Sequence, residues 1–229
     1  MLKKIQRNFS NKARAKRAKL FVDMLKPKTH DKILDLGGGN GKHINGILGK
    51  ESFEHVVIAD ILSNDLAYAE ENFGYKTHQL TEDETLPFGD KQFDIIFCNS
   101  VLEHVTIPKE EIWNLKNTAE FKKRSFESQS KFANEIQRIG KRFFVQTPNK
   151  YFILESHTWL PGIIAFLPRP AQIAGIKFFN KFWPKKTTPD WNLLTYNDMQ
   201  TIFPDCEIYR EKSLGFTKSF IAIKKEDTI

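Results

Sequence analysis

The residues with most chemical content begin at Asp35-Leu36-Gly37-Gly38-Gly39-Asn40-Gly41. Glycines at 37, 39 and 41 let the backbone take positive φ angles and approach a ligand closely. A helix starting after them would present unbonded N–H groups and the positive end of its dipole, suited to an anionic group. The spacing is G-x-G-x-G rather than G-x-G-x-x-G, because Lys42 follows Gly41, and this tilts the choice away from a dinucleotide. Alone, the turn is equally readable as a plain strand-to-helix connection. A second element, Val56-Val57-Ile58-Ala59-Asp60, is an apolar strand ending in a carboxylate. A carboxylate about 20 residues beyond such a turn is placed to accept hydrogen bonds from both ribose hydroxyls of an adenosine-bearing cofactor. Its plainer reading is a helix N-cap.

A third block runs Glu82-Asp83-Glu84-Thr85-Leu86-Pro87-Phe88, Asp90, then Phe93-Asp94-Ile95-Ile96-Phe97-Cys98-Asn99-Ser100-Val101-Leu102-Glu103-His104-Val105. With the glycine turn and Asp60, it resembles the class I S-adenosylmethionine (SAM)-dependent methyltransferases, in particular the branch related to quinone-biosynthesis (methyltransferase type 11) enzymes. The resemblance covers residues 31 to 157 and resumes more weakly in the last two strands. It implies that Asp35, Gly37, Gly39 and Gly41 surround the methionine end of SAM and that Asp60 holds the ribose diol. It also implies an adenine contact at Glu82, where Asp is usual, with Asp83 beside it, and places Asn99 and Ser100 beneath the sulfonium. A later stretch, Thr147-Pro148-Asn149 followed by Lys150, aromatics, Glu155 and His157, resembles one subset of the same branch.

Methyl transfer from an activated sulfonium needs alignment and exclusion of water more than activation. A general base is required where the acceptor is a hydroxyl or amine that must lose a proton. His104, at the end of the fourth strand region, is the first candidate, because an unperturbed imidazole titrates near neutrality. His157 is the second, with Glu155 as its orienting partner. The competing reading of each is a structural or rim histidine.

These residues need a scaffold, and the pattern supplies one. Lys32–Leu36, Val56–Ala59, Phe93–Cys98 and Arg142–Gln146 read as short buried strands, with helices around 41–49, 64–72 and 128–140 between them. A helix is expected from a Ser10 cap to about Leu25, before Pro27 stops it. A helix over Tyr196–Phe203 precedes strands Glu207–Glu211 and Phe216–Lys224, and the short turn Lys212–Gly215 makes the last strand antiparallel. The expected fold is therefore α/β, a Rossmann-like doubly wound and mostly parallel sheet with an antiparallel last strand; the resemblance implies seven strands. Residues 1–30 form a basic N-terminal helix and 31–229 the methyltransferase domain. Within it, 106–126 reads as a polar insertion and 151–191, rich in aromatics and prolines, as a substrate-covering segment.

The net charge of +7 is uneven. Residues 1–32 hold eleven Lys/Arg against Asp23 and Asp31, so the remainder is slightly acidic. The leader helix reads as a packed helix with a charged outer face, or as an anchor for nucleic acid or anionic lipid. A nucleic-acid acceptor is disfavoured: Asn99-Ser100-Val101-Leu102 stands where base amino-group methyltransferases carry an Asn/Asp-Pro-Pro-aromatic motif. Lys177, Lys181, Lys185 and Lys186 interleave with Phe178, Phe179, Phe182 and Trp183, a pattern open to peripheral membrane contact. Cys98 and Cys206 match no metal or redox spacing and are expected to be reduced. No apolar run of signal or spanning length is visible, so the cytoplasm is the expected compartment. The expected function is SAM-dependent methyl transfer to a small-molecule or lipid-intermediate acceptor. The alternatives are an RNA methyltransferase anchored by the leader helix and a non-catalytic SAM-binding protein. No feature sets an oligomeric state.

Overall fold

The computed structural model describes the chain except residues 1, 50–52, 82–84, 154–161, 184, 214 and 226–229, and describes side chains of the first helix from residue 13 onward. In chain order the elements are α1 (Leu2–Leu25), β1 (Ile33–Leu36), α2 (Lys42–Leu48), β2 (Val56–Asp60), α3 (Ser63–Phe73), β3 (Lys76–Gln79), β4 (Phe93–Asn99), α4 (Thr118–Ile139), β5 (Gly140–Pro148), α5 (Arg169–Phe179), α6 (Tyr196–Ile202), β6 (Glu207–Ser213) and β7 (Phe216–Lys224). They build a seven-stranded sheet of order β3-β2-β1-β4-β5-β7-β6. The first five strands pair in parallel, and β7 runs antiparallel to both β5 and β6. The order reverses between β1 and β4, and ligands of doubly wound sheets bind beyond the strand ends at such a switch point.

Strands buried on both faces read as continuous apolar runs, and β4 shows why. Ile95 and Phe97 meet α1, α2 and α3 on one side, where Phe21, Leu25, Ile44 and Leu66 are buried. Ile96 and Cys98 meet α4 and α6 on the other, with Ala133, Ile136, Met199 and Phe203. Each fully buried Leu, Ile or Phe contributes roughly 1.5–3 kcal/mol. Phe21 sits edge-on to Phe97 and Phe144, with ring centroids 4.9 and 5.6 Å away, and so pins α1 across β4 and β5.

Four boundaries differ from the sequence reading, each for a local reason. Helix α1 begins at Leu2, well before Ser10. Helix α4 begins at Thr118 rather than near Ser128, because the Asn117 side chain accepts from Ala119 N and Glu120 N and caps it there. Nine residues of the expected insertion 106–126 are thus its first turns. Strand β3, Lys-Thr-His-Gln, went unforeseen because an edge strand need not be apolar. Helix α5 starts at the Pro168-Arg169-Pro170 cluster, where a proline in the first turn costs no hydrogen bond. Among the described residues no helix is long and apolar enough to cross a membrane. Both cysteines are free thiols, Cys98 buried and Cys206 partly so.

Candidate active site

The turn after β1 is shaped by glycines in left-handed backbone, two of them with no room for a side chain. At Gly37, with φ of 72°, an added Cβ would lie 2.2 Å from Val101 Cγ2. At Gly41, with φ of 71°, it would lie 2.6 Å from Ile58 Cδ1. Around Gly39 the nearest such atom is 3.7 Å away, so that stretch of backbone is left bare on its open side. Gly39 N donates to Asp60 Oδ2 at 2.8 Å, and Leu62 N donates to Asp60 Oδ1 at 3.0 Å. Asp60 therefore ties the two strand ends together rather than simply capping α3. Asp35 is buried, and its Oδ2 has no hydrogen-bond partner among the described residues. Burial, and then the nearby Asp60 charge, push its carboxyl up to about 8.

At the end of β4 the chain turns sharply through Ser100, a non-glycine residue at φ 58°. Such a residue costs on the order of 1–3 kcal/mol and persists where its surroundings fix it. Here Ser100 N and Oγ both donate to Gln146, to its backbone O at 3.0 Å and its Oε1 at 2.9 Å. Arg17 of α1 reaches the same place. Its Nη1 donates to Asn99 Oδ1 at 2.6 Å and Gln146 Oε1 at 2.7 Å, while Nε lies 3.3 Å from Glu211 Oε1. Glu211 in turn accepts from Ser219 Oγ. One guanidinium thus joins α1 to the ends of β4, β5 and β6. Beside it, burial and then the charges of Arg17 and Arg14 pull His43 down to about 4, so its imidazole is neutral at pH 7.

Beyond Ser100 a 3-10 turn, Leu102–His104, buries Glu103 and exposes His104. Glu103 Oε2 accepts from Thr147 Oγ1 at 3.0 Å. His104 Nδ1 lies 3.4 Å from Asp190 Oδ2. Burial raises the Asp190 carboxyl, but its hydrogen bond with His104, the imidazole charge, and bonds from Thr188 and the backbone outweigh it and hold it below the ordinary value. The strap carrying Asp190 is fixed from three sides. Asn192 N donates to Glu103 O at 2.8 Å, Thr106 Oγ1 donates to Asp190 O at 3.1 Å, and the buried Gln129 amide donates to Leu102 O and Asn192 O.

The stretch 34–142 matches the family model described as "Methyltransferase domain". The protein is a SAM-dependent methyltransferase. Solved structures agree on the fold. The PH0226 protein from Pyrococcus horikoshii OT3 is 14% identical, with 89% of this chain and 84% of that one covered and a TM-score of 0.54. The methyltransferase domain of bacterial CtHen1-C is 15% identical, with coverage of 90% and 95% and a TM-score of 0.52. YcgJ from Bacillus subtilis is 14% identical, with coverage of 92% and 98% and a TM-score of 0.51. No curated protein matches the chain. The cofactor of this methyltransferase is SAM.

Within the methyltransferase domain, Asp35, Gly37, Gly39, Gly41 and Asp60 come together at the ends of β1 and β2, and Asn99 and Ser100 lie at the end of β4. Glu82 and Asp83, and Glu155 with His157, lie outside the described residues. Sequence reasoning missed Arg17, Gln146, Glu211 and Asp190. Arg17 had a signal: it stands four residues before Phe21 and eight before Leu25, on the buried stripe of α1. Asp190 had none, since its partner is 86 positions away.

Proposed function

We propose that this methyltransferase acts on a small-molecule or lipid-intermediate acceptor at the C-terminal ends of β4 and β5, with His104 as general base and Asp190 as its positioning residue. The observation that carries the reading is the His104–Asp190 pair, 3.4 Å apart, with His104 exposed on the turn that follows Asn99 and Ser100. With Nδ1 protonated toward Asp190, the basic lone pair of the imidazole lies on Nε2. Asp190 also stabilises the imidazolium formed when His104 takes a proton from a hydroxyl or amine.

SAM supplies an activated methyl group whose transfer needs an aligned nucleophile and little water. We assign its holding groups to the glycine turn, Asp35, Asp60, Asn99 and Ser100, and three features support the fit. The unpartnered, buried Asp35 Oδ2 suits a cationic ammonium group. The bare backbone at Gly39 leaves room for close approach. Each Asp60 oxygen accepts one backbone N–H and keeps a second lone pair for a ribose hydroxyl. The ion pair that locks Arg17 inward supports reading α1 as a cover on the sheet rather than an RNA anchor.

The test is calorimetry with S-adenosylhomocysteine, followed by turnover of His104→Ala and Asp190→Asn. Binding by a folded wild-type sample, with both variants binding equally well but turning over more slowly, is expected. Unchanged turnover in His104→Ala removes the proposed base.

A further inference from the structure

On the α4 face, outside the ends of β4 and β5, lies an open-mouthed depression. Three cations line it, Lys122 of α4, Lys150 after β5 and Arg169 at the start of α5, and among the described residues no carboxylate does. None of the three makes an ion pair within 4 Å among the described residues. Arg169 is buried; its Nη1 and Nη2 donate to Gln172 Oε1 at 2.9 Å and Ile112 O at 2.8 Å, and its guanidinium stacks 3.7 Å above the Phe121 ring. Its Nε has no hydrogen-bond partner. Lys150 is half-buried, and burial followed by repulsion from Lys122 lowers its pKa. Burial lowers Arg169 to about 10, against the opposing charge of Asp190. The Asp190 and Asp198 charges offset this only in part, so the buried Arg169, the half-buried Lys150 and the exposed Lys122 around one space leave it favourable for an anion.

The mouth of the depression is apolar and exposed. Leu167 lines it and is 36% exposed, and Lys150 Nζ sits 6.0 Å from the centre of the Phe166 ring, itself 49% exposed. Its inner wall is the strap that holds Asp190: Trp191 and Asn192 line the depression, and Asn192 is bonded to Glu103 beside His104. We propose that this depression takes the phosphate head of an amphiphilic methyl acceptor, whose apolar body lies along Leu167 and Phe166. The assignment rests on the small-molecule or lipid-intermediate reading above and names the acceptor's chemistry. Arginine and lysine are the natural partners of phosphate oxygens. The Thr118 hydroxyl accepts from Arg169 N at 2.8 Å and so keeps its own proton to donate.

The full chain is titrated with inorganic phosphate, submicellar octyl phosphate, octyl glucoside, and vesicles of phosphatidic acid or of phosphatidylcholine alone, with S-adenosylhomocysteine as the parallel ligand. Octyl phosphate should bind at least about tenfold more tightly than inorganic phosphate or octyl glucoside, by adding apolar burial to charge. Lys122→Met with Lys150→Met should weaken octyl phosphate by about tenfold or more, leaving S-adenosylhomocysteine affinity and Tm unchanged. Should the double variant not fold, the exposed single variant Lys122→Met should still weaken octyl phosphate several-fold. Lysine-dependent binding to phosphatidic acid vesicles identifies a membrane lipid as the source; binding to octyl phosphate alone identifies a soluble amphiphile. Octyl phosphate binding no tighter than octyl glucoside, or indifferent to both lysines, overturns the proposal. Loss of S-adenosylhomocysteine binding alone, with lysine-dependent octyl phosphate binding intact, strikes the cofactor assignment and leaves the phosphate pocket standing.

Discussion

The two sides of the β1–β4 switch point are built by different means. On the β1–β2 side the work is done by backbone: positive-φ glycines, amide groups bonded to Asp60, and two carboxylates close enough for one to raise the other. On the β4–β5 side it is done by side chains brought from far apart in the chain: Arg17 with Asn99, Gln146 and Glu211, and His104 with Asp190. Backbone recognition suits a fixed cofactor, because its geometry tolerates little change. Side-chain recognition can be altered residue by residue while the fold is kept, which suits an acceptor site. Arg17 stands at the seam and binds the second side to α1.

The largest effect is expected at that seam. Arg17→Ala removes the cation that contacts buried Glu211, leaving only the charge of Lys218 acting on it, so unfolding by denaturant should show a loss of about 3–5 kcal/mol. Arg17→Lys should recover only part of it, since an ammonium cannot span Asn99, Gln146 and Glu211 at once. Next comes the acceptor side: His104→Ala should lower kcat by about 10²-fold or more without changing S-adenosylhomocysteine affinity, and Asp190→Asn should lower it less. On the cofactor side, Asp60→Ala should weaken S-adenosylhomocysteine by about 1–3 kcal/mol in calorimetry and leave phosphate-probe binding alone. Equal damage to both ligands would erase the division between the two sides.

The smallest effect is a pH dependence confined to the cofactor side. The Asp35 carboxyl rises from 3.8 to about 8 on folding, so the uncharged acid is the favoured form in the ligand-free protein. Its contribution to stability is complete below 3.8 and is lost as pH rises to about 8. A cationic ammonium beside it favours the carboxylate, so S-adenosylhomocysteine should bind more tightly as pH rises through this window, with proton release on binding. One proton limits the change to about tenfold per pH unit. Asp35→Asn should flatten both the stability and the affinity profile.

The same division explains what the sequence could reveal. The glycine turn, Asp60 and the β4 run are contiguous, and periodicity with turn chemistry placed all three on the right elements. The mostly parallel sheet and its antiparallel last strand were legible for the same reason, whereas the strand order was not. The polar edge strand β3 was not, because nothing buries its side chains. Helix α5 was hidden by prolines that in fact start it, and the first turns of α4 by an Asn117 cap within a charged stretch. Arg17 was counted with the outward charges of the leader helix, although its spacing to Phe21 and Leu25 put it on the inner stripe. Asp190, Gln129 and Asn192 meet their partners across 27 to 89 positions, and no local pattern announces such contacts.

The most direct test of the account is incubation of the protein with methyl-labelled SAM and fractionated lysate, beside the His104→Ala variant. The account predicts label in a small-molecule or lipid fraction that falls about 10²-fold in the variant while S-adenosylhomocysteine binding persists. Label recovered in RNA, or label transfer indifferent to His104, would contradict it.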